Sequence, residues 1–105
     1  MVDAEKADYL LALILRERER QERLRQEGRF KHTLNEVLIQ EPEKLAVIME
    51  EVGEIGKNVL RRAYLVSDGD PSTPALLDEL LQTAALCLAW GEALVELPTH
   101  RRPER

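Results

Sequence analysis

From Leu76 to Ala89 the chain carries only four polar side chains, Asp78, Glu79, Gln82 and Thr83. At about 100° per residue, Leu80, Ala84, Cys87, Gly91 and Leu94 fall on one side of a helix through this segment. Leu77, Leu81, Ala85 and Leu88 fall on the other, and Leu86 and Trp90 extend the line above Glu79. A helix that is apolar nearly all round has to be covered nearly all round. The rest of the 105-residue chain supplies two further helices, which are too few to do that. The expectation is therefore an all-α fold whose four-helix core, built from helices 2 and 3, is completed by dimerisation.

Those two helices follow from local signals. Helix 1 is expected over Asp3 to Glu27, with Asp3 as N-cap and Gly28 as the C-terminal stop. Ala7, Leu10, Leu11, Ile14 and Leu15 recur at helical spacing. From Arg16 the sequence turns to RERERQERLRQE, which reads as a solvated face or an extension beyond the core. Pro42 suits a first helical turn, so helix 2 is placed at Glu43 to Leu65. Asp68-Gly69-Asp70-Pro71 marks a turn. Helix 3 is expected to start with Ser72 or Thr73 as cap and Pro74 at its first position, and to end near Leu97, before Pro98. One domain over residues 1–98 and a short flexible tail over 99–105 account for the chain, which leaves no room for a two-domain enzyme.

Charge and cysteine content narrow the function classes. Fifteen Lys and Arg against twenty Asp and Glu give a net charge of −5, which argues against a nucleic-acid partner. The Arg-rich segment does not reverse this, because Glu interrupts it throughout. No apolar run is long enough to span a membrane, and the N-terminus lacks the pattern of a secretion signal. Cys87 is the single cysteine, so the chain has neither an internal disulfide nor a cysteine zinc site, and a reducing, cytoplasmic setting is expected. Any metal would be a hard ion held by carboxylates.

Helix 2 carries the candidate carboxylates. With Glu50 taken as the origin of its wheel, Glu54 lies about 40° and Glu51 about 100° away, opposite an apolar stripe of Leu45, Ile48, Val52, Ile55 and Val59. A Glu-rich chain places acids three apart by chance, and an ordinary wet surface explains this trio. Glu79 adds a second consideration. Close to the buried part of the expected core, it is costly unless paired, protonated or bound to a metal. Packed against Glu50, Glu51 and Glu54, it would complete an all-oxygen cluster suited to Mg²⁺ or Mn²⁺, and such an ion suits phosphate chemistry.

The segments LAVIMEEVGEIGKNVL at 45–60 and DELLQTAALCLAWGEAL at 78–94 carry Glu51-x-x-Glu54, then twenty-four intervening residues, then Glu79-x-x-Gln82. This arrangement resembles the Glu-x-x-Glu … Glu-x-x-Asp signature of the MazG-like all-α nucleoside triphosphate pyrophosphohydrolases, and GRFKHT at 28–33 adds to the likeness. The resemblance implies a homodimer or dimer of dimers that hydrolyses a nucleoside triphosphate at the α–β bond with Mg²⁺, releasing a monophosphate and pyrophosphate. By position it makes Glu51, Glu54 and Glu79 metal ligands, and Glu50 the acid that holds or activates water. Gln82 stands where the signature has Asp. Its amide oxygen can ligate a hard ion but brings no charge. The resemblance does not determine the substrate.

The remaining polar residues admit two readings each. Lys57 and Arg61 flank the acidic side of helix 2, as phosphate contacts or as surface partners of carboxylates; Asn58 suits a polar substrate contact. His32 suits base recognition or loop packing, Trp90 core or dimer packing, and Cys87 a small core position. Gln82 also favours an alternative, a non-catalytic MazG-like helical dimer with a nucleotide-binding or regulatory role. A coiled-coil adaptor fits the Arg/Glu helix but leaves Glu79 unexplained.

Overall fold

The computed structural model describes residues 1–28, 41–64 and 72–97. Three α-helices make up the described residues, with no strand among them: α1 over Ala4–Gln26, α2 over Glu41–Tyr64 and α3 over Ser72–Val95. The expected Asp3 cap is present, its Oδ1 accepting the Lys6 N–H at 3.1 Å. Gly28 ends the first helix at φ +74°, a conformation side chains disfavour, while its N–H returns to the Arg25 carbonyl. Two starts differ from expectation. Helix α2 begins at Glu41, so Pro42 is its second residue, where a missing N–H costs nothing. Helix α3 begins at Ser72, so Thr73 and Pro74 lie inside its first turn rather than at its cap, and it ends at Val95 rather than Leu97.

Helix α3 is the centre of the molecule. It packs against α1 on one flank and α2 on another, while α1 and α2 do not meet. Among the described residues the buried apolar ones, Ala85, Leu86, Ala89 and Ala93, all belong to it. Val47, Ile48 and Trp90 pack around Leu86 and Ala89. Three of those four side chains are single methyl groups. The chain is correspondingly open, with a radius of gyration of 16.0 Å where a compact chain of this size has about 13 Å. Its accessible surface of 8329 Å² likewise exceeds the roughly 6,000 Å² of a compact monomer of 12.0 kDa.

The second half of α1 is not a solvated extension. Arg18 and Gln21 are both buried against α3. Arg18 Nε donates to Glu92 Oε2 at 2.6 Å and Nη1 to Glu22 Oε2 at 3.3 Å, and Gln21 Nε2 donates to the Gln82 carbonyl at 3.4 Å. Helix α2 also turns differently from its hydrophobic pattern. Its seam with α3 runs through Lys44, Val47, Ile48, Glu51, Ile55 and Asn58, which leaves Leu45, Val52 and Val59 of the expected stripe exposed, together with Met49 and Leu60. Helix α3 likewise exposes Leu77, Leu80, Leu88, Leu94 and Val95, and Cys87 is exposed rather than in the core. Because α2 and α3 run antiparallel, both apolar faces fall on the side of the hairpin away from α1.

Candidate functional site

Antiparallel packing of α2 on α3 brings Glu51 opposite Glu79. Both are half-buried, whereas Glu50 and Glu54 are exposed on the rim. The Glu51 carboxyl is pushed above the ordinary carboxylate range. Burial is the main cause, followed by a hydrogen bond with Glu79 and then by the negative charges of Glu79, Glu54 and Glu50. Glu79 Oε2 is itself buried and receives no hydrogen bond from a donor. Two carboxyls facing each other hydrogen-bond only when one is protonated; with both ionised they call for a cation. Thr83 Oγ donates to the Glu79 carbonyl at 2.8 Å, so it satisfies backbone and leaves the carboxylate free.

Asn58 Nδ2 donates to the Glu54 carbonyl at 3.0 Å, which holds the buried amide in the seam one turn beyond the acids. Lys57 Nζ donates to Glu54 Oε1 at 3.3 Å, an exposed contact of the weak surface kind. Arg61 is exposed in the last turn of α2. His32 lies outside the described residues. Gln82 lines a groove between α3 and α1, and its backbone carbonyl accepts from Gln21.

Among the described residues no group of three or more His, Cys, Asp or Glu is arranged to hold a metal ion within one chain. The donor set nevertheless fits Mg²⁺ in kind. That ion keeps several waters and takes one or two carboxylates beside substrate phosphates, and the pair supplies two carboxylates, one with an unsatisfied buried oxygen. No helix among the described residues is long and apolar enough to cross a membrane.

No protein-family model matches the chain, and no curated protein or solved structure is similar to it.

The buried polar residues Arg18, Gln21 and Lys44 were not singled out by the sequence. Arg18 and Gln21 sit in a run where every position looks equally wet, and only the approach of α3 distinguishes them. Lys44 occupies the seam position two turns before Glu51, a spacing visible in the sequence but masked by the stronger apolar stripe beside it.

Proposed function

We propose that the chain is a metal-dependent nucleoside triphosphate pyrophosphohydrolase of the MazG-like kind, cleaving the α–β bond and working as a homodimer. The observation that carries this reading is the Glu51–Glu79 carboxyl pair, half-buried and with Glu79 Oε2 unpartnered, with Glu54 and Glu50 beside it. Glu51 and Glu79 would hold Mg²⁺, assisted by Glu54. Once bound, the ion would draw charge from phosphate oxygens and lower the cost of forming hydroxide from water. Glu50, exposed on the rim, would accept a proton from that water. Arg61 and, once released from Glu54, Lys57 offer cations to the polyphosphate from the same helix.

The homodimer is supported by the apolar side of the α2–α3 hairpin. Leu45, Met49, Val52, Val59 and Leu60 of α2 and Leu77, Leu80, Leu88, Leu94 and Val95 of α3 are all exposed, and a run of large apolar side chains in water marks an interaction surface. A second hairpin laid on this side would give a four-helix core.

Release of pyrophosphate from a panel of standard and modified nucleoside triphosphates, with Mg²⁺ or Mn²⁺, tests the activity. Turnover by the wild type and its loss in Glu51→Gln and Glu79→Gln support the reading; no pyrophosphate from any substrate sinks it. A second reading, a non-catalytic dimer, is favoured by Gln82, which lacks the charge of the signature Asp and lines the α1–α3 groove.

A further inference from the structure

Helix α1 sorts its arginine-rich run into two sets. Arg18 and Arg25 engage Glu22, and Arg18 also reaches Glu92 on α3. Arg16, Arg20 and Arg23, spaced i, i+4 and i+7, lie together on another face. There they line an open groove of about 620 Å³ between α1 and α3, within the roughly 300–1,000 Å³ usual for small-molecule sites. Arg20 is already occupied, its Nε and Nη2 donating to the two oxygens of Glu17 at 2.8 and 2.7 Å. The Arg16 and Arg23 side chains have neither an ion pair nor a hydrogen bond. Arg16 and Arg23 are set about 10 Å apart along the helix axis by their seven-residue spacing, within reach of more than one phosphate group of a single ligand for two long, unengaged side chains.

The other lining groups limit what that ligand can be. Asp78 faces the groove from α3, and Glu19 lies on the α1 side, so the two free arginines are balanced by two carboxylates. A bare polyanion would meet these carboxylates, and a neutral ligand would leave the guanidinium groups unused. A nucleotide carries phosphates as acceptors together with ribose hydroxyls and base amino groups as donors. Leu13 and Leu81 add an apolar surface for the face of a base.

We propose that the α1–α3 groove is a nucleotide-binding site separate from the Glu51–Glu79 pair, with Arg16 and Arg23 taking the phosphates and Asp78 and Gln82 taking sugar or base groups. Asp78 and Gln82 belong to the α1 side of α3, whereas Glu79 faces α2, so the two sites flank one helix.

The site is tested on the full chain by isothermal titration with ATP, inorganic tripolyphosphate and adenosine. EDTA is included so that no metal site contributes. The wild type should bind ATP more tightly than either fragment, and salt should weaken the binding. Arg16→Gln/Arg23→Gln should weaken ATP binding by about tenfold or more, and Arg16→Lys/Arg23→Lys should lie between it and the wild type, because an ammonium lacks the planar fork. Asp78→Asn should leave tripolyphosphate binding equal or tighter while weakening ATP. Arg62→Gln on α2, a basic residue outside both sites, should bind ATP as the wild type does. Arg16, Arg23, Arg62 and Asp78 are exposed, and circular dichroism checks that all the variants fold. The proposal is overturned if ATP does not bind, if tripolyphosphate binds as tightly as ATP, or if Arg16→Gln/Arg23→Gln binds ATP normally. A Glu51→Gln chain that neither hydrolyses nor binds metal should still bind ATP in EDTA, so failure of the hydrolase reading and failure of this site are distinguishable.

Discussion

Replacing Arg18 with Ala should be among the most destabilising single changes in α1. Its side chain is 10% exposed and joins α1 to α3 through Glu92, with a second contact to Glu22. The two contacts differ in strength. The Arg18–Glu92 bond is short, at 2.6 Å, but the Glu92 side chain is 47% exposed, so solvent screening limits it to about 1–1.5 kcal/mol. The Glu22 contact is longer, at 3.3 Å, and Glu22 keeps Arg25, so its loss costs about 0.5 kcal/mol. Withdrawing the buried aliphatic stem from the face of α3 adds about 1 kcal/mol. The total is about 2.5–3 kcal/mol, or a fall in Tm of roughly 10–20 °C for a domain of this size. Urea melts followed by circular dichroism at fixed chain concentration measure it, since an assembling protein has a concentration-dependent stability. A double-mutant cycle with Glu92→Ala should return a coupling of about 1 kcal/mol. Stability within about 0.5 kcal/mol of wild type for Arg18→Ala, or a coupling of zero, would refute the view that this pair fastens α1 to α3.

Glu22 gives the acid limb of the stability profile. The hydrogen bond from Arg25, with help from Arg18, holds its carboxyl at about 2, so its contribution is complete above the ordinary value of 4.5 and is lost as pH falls through about 2; Glu22→Gln should flatten that limb in pH-dependent melts. Glu51 has the opposite sign. Its raised carboxyl favours the folded state below 4.5 and loses that advantage as pH rises through the folded value, so Glu51→Gln should raise the Tm of the metal-free protein at neutral pH and abolish any Mg²⁺-dependent rise. A metal-free Tm at or below wild type would show that the pair is not repulsive. Leu80 and Val52 lie on the apolar side of the hairpin, so Leu80→Glu or Val52→Glu should convert a species of twice the 12.0 kDa chain mass in light scattering to the single-chain mass; a wild-type protein of 12.0 kDa at micromolar concentration would remove the dimer. An Ala at Gly56 meets no atom within 4 Å in the single chain, so Gly56→Ala should stabilise helix α2 by about 0.5–1 kcal/mol in a monomer, and a loss of stability would place a second chain against that position.

Helix positions were legible in the sequence because they depend on neighbours. Asp3 caps α1 with its own side chain, Gly28 ends it with its own φ, and Pro42 fits a first turn whatever packs nearby. The juxtaposition of Glu51 and Glu79 was legible at one remove: an acid on a helix that is apolar nearly all round must find a partner or a cation, and helix 2 was rich in acids. What no residue could declare was the rotation of each helix about its own axis. The stripe of Leu45, Val52 and Val59 is the most hydrophobic face of α2, yet α3 lies against Lys44, Glu51 and Asn58, and the stripe faces outward. The arginines of α1 look alike in sequence, but α3 buries Arg18, leaving Arg16 and Arg23 in an open groove. Periodicity states which residues share a face. Which face is covered depends on where the other helices lie, and that is a property of the tertiary structure alone.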